Sequence, residues 1–377
     1  ESAGCRVVNL LCKGSYKHVT EQLRKTPEQH VDDIRTVVLE AAKRKIDVNI
    51  YLEDWSNGIK HSPDYVFLVI DALKGLPICR FMLPDTLGVL NPGNTYEYCK
   101  MMVDRYPDLR FDFHAHNDYD LAVANVYSAI RAGIKGIHTT VNGLGERAGN
   151  APLSSVLAVI KDQLGEETSL REEKINKASR LVETYSGVHI PPNKPIIGEH
   201  VFTQCAGVHA DGDSKNNLYC NDLLPERFGR VREYALGKTS GKANIRKNLE
   251  ALGIDMDEGS MRKVTERIIE LGDKKEMVTP EDLPYIISDV LHHDNALEDQ
   301  KIRILNYSLS LAQGLKPVAT LKIEINGEAY EESASGDGQY DAFVRALRRI
   351  YSRLNRPFPM LTNYSVSIPP GLSLIHI

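Results

Sequence analysis

The stretch Arg110–Asp120, R-F-D-F-H-A-H-N-D-Y-D, carries the residues best suited to chemistry. It is short, aromatic-rich and alternating in character, which predicts a β-strand. Successive side chains on a strand point to opposite faces. Asp112, His114 and His116 therefore share one face, and Phe111, Phe113 and Ala115 the other. Two imidazoles two residues apart, at the end of a strand with an apolar back, suit a divalent metal, since neutral imidazole is the commonest protein metal ligand. H-x-H alone describes two polar histidines at the wet end of a strand equally well, so the rest of the chain must decide.

The same alternation groups Asn49, Tyr51 and Glu53 on one strand face, and His138, Thr140 and Asn142 on another. If His114 and His116 face the mouth formed by the strand ends, Glu53 and Asn142 converge on the same metal or on its substrate. A carboxylate facing a cation serves as a base or as an outer partner of the ligands. Glu53 also reads as a solvated residue opening a loop. Asn142–Asn150, N-G-L-G-E-R-A-G-N, has glycines that permit a tight turn or a close approach of backbone to ligand. The helix that follows offers free N–H groups to an anion. His209-Ala210-Asp211 and Asn217-Leu218-Tyr219, taken alone, are polar loop residues. Gly336-Asp337-Gly338 is a turn, with or without an anion or amino acid to bind.

These residues need a scaffold, and up to about residue 165 the chain repeats one unit: strand, polar loop, amphipathic helix. The strands are predicted at Arg6–Leu11, Val48–Leu52, Arg80–Leu83, Arg110–His114 and Gly136–Val141, with helices at about 27–45, 62–76, 92–106, 121–134 and 151–164. Thr26-Pro27-Glu28-Gln29 is a capping box with proline at the first helical position, and Ser62-Pro63 and Asn91-Pro92 repeat the theme. Such alternation makes an α/β fold with a parallel sheet and outer helices. Glu53, Asp85, His114, His116 and Asn142 gather where strands end, which fits both a TIM barrel and an open doubly wound sheet. Residues 166–296 change to charged helices with a glycine- and asparagine-bearing loop at Gly207–Asn221. From Lys301 strands return at Ile302–Leu311, Val318–Asn326 and Glu328–Ser333, then a helix near Tyr340–Leu354 and a strand at Asn363–Ile368.

Composition narrows the class. With 377 residues and 42% hydrophobic content the chain can bury more than one core. A net charge of −5 without basic clusters argues against nucleic acid or an anionic membrane as main partner. No apolar run approaches the roughly 18 residues that span a bilayer. Six scattered cysteines with no C-x-x-C spacing indicate a reduced, cytoplasmic protein. The chain opens on Glu1 and closes on the apolar hexapeptide Leu372–Ile377 after Pro-Pro-Gly. The expectation is a piece of a longer protein cut at both ends, with a non-native tail at 372–377 that is set aside.

Taken together, H-A-H-N-D-Y-D-L-A-V-A-N, V-N-G-L-G-E-R-A-G-N-A-P-L and G-V-H-A-D-G-D resemble the acetyl-CoA-dependent Claisen-type synthases, which comprise isopropylmalate, homocitrate and citramalate synthases. The resemblance runs from Cys5 to Gly371. Within the family, Tyr51–Gly58, Asn117–Leu121, Leu224–Gly229 (L-P-E-R-F-G) and Tyr340–Phe343 look most like the bacterial (R)-citramalate group. The resemblance implies the last five βα units of a TIM barrel over 1–165. It also implies helical linker subdomains over 166–296 that contribute to an acetyl-CoA site, and a truncated α+β regulatory domain over 297–371. His114 and His116 match the metal-binding histidines, and Asn142 a ligand or near-ligand. Glu53 matches the active-site glutamate, Thr86 the hydroxyl that holds the keto acid's carboxylate, and Tyr51 a wall of its pocket. His209, Asp211, Asn217 and Tyr219, with Leu218 between the last two, match the group that binds acetyl-CoA and helps deprotonate it. In the family this group reaches over the neighbouring subunit's barrel, which implies a homodimer, and the regulatory domain binds isoleucine or leucine. An Arg-Asp pair on the family's first strand has no counterpart here, so residues 1–377 alone are expected to be inactive.

The chemistry so implied joins acetyl-CoA to a 2-oxo acid, with Zn, Mn or Mg polarising the ketone and His209 or Glu53 removing the methyl proton. Pyruvate would give (R)-citramalate; 2-oxoisovalerate would give 2-isopropylmalate, the alternative. A metal-dependent aldolase or lyase shares the H-x-H strand but needs no acyl-CoA region. A non-catalytic amino-acid-binding regulator would use only residues 301–371.

Overall fold

The computed structural model describes residues 4–214, 218–274, 278–291 and 302–359. Asn217, the expected strand at Asn363–Ile368 and the 372–377 tail lie outside them. The chain forms two compact units, residues 1–256 with 268–280, and residues 257–267 with 281–377.

In the first unit β1 (Val7–Lys13), β2 (Asp47–Glu53), β3 (Ile78–Asp85), β4 (Phe111–Ala115) and β5 (Gly136–His138) pair in parallel and in chain order. The helices between them are α1 (Pro27–Lys43), α2 (Trp55–His61), α3 (Pro63–Leu73), α4 (Pro92–Arg105), α5 (Ala122–Arg131) and α6 (Leu153–Leu164). The α/β alternation is as expected, and the capping box at Thr26 is formed: Thr26 accepts from the Gln29 N–H and Gln29 reaches back. Among the described residues the sheet does not close on itself. Two differences from the expected strand limits bear on the site. β1 continues two residues past Leu11, because Cys12 and Lys13 pair with Leu52 and Glu53. β5 stops at His138, because Asn142 takes a left-handed conformation (φ 62°) in a tight turn.

One face of the sheet is apolar and lies under the helices. Ile50, Leu52, Phe81, Leu83, Phe111 and Phe113 are all 2% exposed or less and pack with Val38, Ile70, Met102 and Val126 from the helices. The other face is polar and layered by register. Lys13 sits beside Glu53, and Pro84, His114 and His138 continue that level across the sheet. One step towards the amino ends come Leu11, Tyr51, Met82 and Asp112. This is the layering that parallel strands impose on inward side chains.

The end of β1 is fixed by a closed ring of hydrogen bonds. The Lys13 N–H donates to His30 Nε2 (3.3 Å), His30 Nδ1 meets the Tyr65 hydroxyl (2.8 Å), and that hydroxyl donates to the Lys13 carbonyl (3.0 Å). The tautomer with the proton on Nδ1 satisfies all three groups. Burial depresses the His30 pKa, which favours this neutral form. Next to it, α2 is held against the turn after β1: a Cβ on Gly58 would lie 1.9 Å from the Gly14 carbonyl oxygen. Gly58→Ala should therefore destabilise by about 2 kcal/mol through forced displacement of backbone, despite a helix-propensity gain of about 1 kcal/mol. A thermal melt followed by Trp55, the one tryptophan and fully buried, reads this directly. An unchanged midpoint would show that the turn yields freely.

The unit continues with α7 (Ile175–Ser186), β6 (Thr203–Gln204), α8 (Gly207–Ser214), β7 (Glu233–Tyr234) and α9 (Lys242–Leu252), while α10 (Glu258–Asp273) contributes residues to each unit. The stretch expected as a loop at Gly207–Asn221 thus begins as a helix. The second unit holds α11 (Leu283–Leu291) and an antiparallel sheet in the order β10 (Glu328–Ser335), β9 (Val318–Ile325), β8 (Ile302–Ser310). Its helix α12 (Gln339–Arg353) buries Ala346 and Ile350 with Leu321, Ile323 and Ile325. No helix among the described residues is long and apolar enough to cross a membrane.

Candidate active site at the carboxyl ends of the strands

The histidine pair lies where β4 ends. The rings of His114 and His116 are 5.0 Å apart, and that of His114 is 5.9 Å from Tyr51 and 5.7 Å from His138. Burial, then the neighbouring histidines, push the His114 pKa down to about 4. Burial, then Arg147, lowers that of His116. Both are thus neutral imidazoles at physiological pH, the form that binds metal. His116 Nδ1 is buried without a hydrogen-bond partner among the described residues. These observations fit two ligands of a metal site. Among the described residues no group of three or more His, Cys, Asp or Glu side chains could hold an ion.

Several contacts hold this corner. The Asn142–Asn150 loop folds back so that Asn150 bridges to His116, and the Asn117 N–H donates to the Gly149 carbonyl (2.9 Å). Its glycines serve that packing: a Cβ on Gly149 would lie 2.0 Å from the Gly143 carbonyl oxygen. The Arg147 guanidinium forks onto Asp118 (2.8 and 3.0 Å) and donates to the Thr86 carbonyl (2.8 Å), lowering the Asp118 pKa. Thr86 Oγ1 accepts from the Asp54 N–H (2.8 Å), which ties the turns after β2 and β3. Asp85, fully buried, accepts from the N–H groups of Val89 and Leu90 (both 3.0 Å) and shapes the turn carrying Thr86. Beneath His114, Asp112 meets Arg80 (2.8 Å) and His138 (3.6 Å). Burial raises its pKa, but these partners together outweigh it and the net shift is downward.

Glu53 lies on the histidine level and forms an ion pair with Lys13. Tyr51 lies between, its phenol kept protonated by burial and by Glu53, with a pKa of about 12. Asn142 is placed otherwise than strand alternation suggests. Its amide donates to the Ser179 carbonyl on α7 (2.9 Å), and its buried Oδ1 has no partner among the described residues. It lines a cavity of about 320 Å³ with Gly143, Arg147, His189 and Lys194.

His209 and Tyr219 form a separate pair, with Asp211 on the same helix as His209 and Leu218 next to Tyr219. The His209 and Tyr219 rings are 4.4 Å apart, and His209 Nδ1 lies 3.2 Å from Gln204 Oε1. A Cβ on Gly212 would strike the Tyr219 ring at 2.4 Å, so that glycine lets the tyrosine lie against α8. Leu218 and Tyr219 are exposed. Asp213, unnoticed in the sequence, anchors α8 through Arg232 (2.9 Å).

Over 369 residues, 98% of the chain, it is 34% identical to the putative (R)-citramalate synthase of Methanopyrus kandleri, covering 71% of that protein. The chain belongs to the family of (R)-citramalate and 2-isopropylmalate synthases. A second family member, the (R)-citramalate synthase of Methanocaldococcus jannaschii, is 31% identical over 92% of the chain and 69% of its own length. A third, the probable 2-isopropylmalate synthase of Methanopyrus kandleri, is 34% identical over 89% of the chain and 66% of its own. By segment, residues 1–182 match the HMGL-like family, 196–276 the homocitrate synthase post-HMGL domain-like family, and 277–373 the LeuA allosteric (dimerisation) domain. In this family member the histidine pair, Glu53, Tyr51 and Thr86 thus fall in the first segment, and His209 and Tyr219 in the second. Sequence reasoning missed Lys13 and set His138 on a strand face without assigning it to the site; register places both on the histidine level.

Proposed function

We propose that the protein condenses acetyl-CoA with pyruvate to give (R)-citramalate and CoA, in branched-chain amino-acid biosynthesis in the cytoplasm. The observation that carries this reading is the Tyr51 ring set edge-on to His114, with Leu11 beside it in register. That wall crowds the place where a 2-oxo acid would carry its side chain, and a methyl group fits such a wall better than an isopropyl group. His114 and His116 would hold a divalent ion (Zn, Mn or Mg). When bound, the ion supplies Lewis-acid polarisation of the keto group. Thr86, fixed through its carbonyl by Arg147, presents its hydroxyl proton to the substrate carboxylate. Glu53 or His209 takes a proton from the acetyl methyl group. Tyr219, Asp211 and Leu218 would face acetyl-CoA. Attack on the ketone forms the carbon–carbon bond, and water then cleaves the thioester to release CoA. Residues 297–371 would bind isoleucine in a homodimer, and domain limits near 165 and 296 separate these tasks.

The second reading, 2-isopropylmalate synthesis with leucine as effector, is favoured by the equal identity to a relative bearing that name. CoA release by the full-length protein, with pyruvate or 2-oxoisovalerate and a divalent metal, separates the two. Turnover with pyruvate alone is expected. Tyr51→Ala should then narrow the preference by roughly 10–100-fold, the worth of one or two methylenes in a pocket. Preference for 2-oxoisovalerate in the unmodified protein would replace the first reading by the second.

A further inference from the structure

Lys13 stands at the end of β1 with its side chain 11% exposed, on the polar face and at the level of His114. Its ammonium pairs with the Glu53 carboxylate, itself 27% exposed. A lysine head group is strongly hydrated, and taking it out of water costs several kcal/mol that a single ion pair barely recovers. As a stabilising device the pair is thus a poor choice. A well-packed apolar residue of similar volume at position 13 would serve folding as well. The surroundings nevertheless fix Lys13 with care. Its N–H and carbonyl are both taken by the His30–Tyr65 ring, whose two side chains are 5% and 4% exposed. The next residue, Gly14, donates to the Glu53 carbonyl (2.6 Å). A Cβ there would lie 2.5 Å from the Leu52 carbonyl oxygen, so the backbone of the two strand ends is locked together. Two buried polar side chains are thereby spent on aiming one lysine at one glutamate.

We propose that Lys13 is a positioning residue for the condensation, its ammonium fixing the Glu53 carboxylate at the level of the histidine pair. The inference rests on the reading of Glu53 as a site residue and adds the group that orients it. Without Lys13, the carboxylate is free to rotate among its side-chain rotamers and to turn out to solvent. Displacements of about 1 Å in such a group cost roughly 10²-fold in rate.

The test uses the full-length protein with Lys13→Met, Lys13→Arg, Glu53→Gln and the Lys13→Met/Glu53→Gln double variant. For each, kcat and KM for both substrates are measured, together with a Trp55 melt. Lys13→Met keeps the apolar stem and should fold. It is expected to lower kcat about 10²-fold with little change in either KM, and Lys13→Arg to recover most of that loss. The double variant should be no slower than Glu53→Gln alone, because a positioning residue has nothing left to position. Independent, multiplying losses would overturn the proposal, as would a kcat loss that follows a fall in melting temperature and is not recovered by arginine. If Glu53→Gln is slow and Lys13→Met is not, Lys13 loses its role and Glu53 keeps its own. If Glu53→Gln is as fast as the unmodified enzyme, the assignment of Glu53 falls and takes this inference with it.

Discussion

Replacing His114 or His116 by alanine is expected to strip the protein of divalent metal and to lower kcat roughly 10³-fold or more, since Lewis-acid polarisation is worth several kcal/mol. The expectation follows from the state of the two rings. Burial holds His114 neutral, and the buried His116 Nδ1 has no partner among the described residues. An orphaned nitrogen of this kind is costly in a protein without a ligand to meet it. His138→Ala is the control. It shares the level of His114 but is turned to Asp112, 3.6 Å away, and should leave the metal in place. Metal content after dialysis, with kcat for CoA release, checks all three. If the single alanine variants at 114 and 116 keep the metal of the unmodified protein, the site lies elsewhere.

Much of this corner is legible in the chain because its signals are local. Alternation in R-F-D-F-H-A-H names the strand and its faces, and Thr26-Pro27, Ser62-Pro63 and Asn91-Pro92 place three helix starts at their observed positions. What escapes a linear reading is register. Cys12-Lys13-Gly14 looks like a polar loop opening, so the strand is expected to stop at Leu11. Pairing with Leu52 and Glu53 extends it, and only then does Lys13 face the site. Alternation already sets His138 on a strand face, but only the pairing of β4 with β5 puts it beside His114. Asn142 fails differently. Strand alternation continued past His138 sets it on the site face, whereas a left-handed turn at that residue sends its amide to α7. The motif L-P-E-R-F-G is legible as a family mark and silent about purpose, and the structure supplies one.

Arg227→Ala should destabilise the first unit by about 3 kcal/mol near neutral pH. The guanidinium meets Asp162 on α6 (2.9 and 3.1 Å) and Glu172 (2.8 and 3.2 Å), whose side chains are 10% and 15% exposed. Removing it leaves two carboxylates facing each other with Lys161, 3.6 Å from Glu172, as the remaining cation. Lysine cannot substitute, because one ammonium cannot serve both forks. The other motif residues support the same joint. Phe228, fully buried, packs with Leu157 and Ile197 and stacks on Phe202, one residue before β6; Gly229 turns the chain at φ +65°. The joint thus seats the strand whose Gln204 meets His209. Above all, the hydrogen bonds from Arg227 hold the Glu172 pKa below the ordinary carboxylate value. A carboxylate with a depressed folded pKa adds stability above its unfolded value, about 4.3, and loses it as pH falls through the folded one. The Arg227→Ala deficit should therefore be full at pH 7 and shrink on acidification below that value. Denaturant unfolding followed by Trp55 across this range decides the matter. A deficit that stays constant into acid would assign the joint to packing around Phe228 and leave the ion pairs as bystanders.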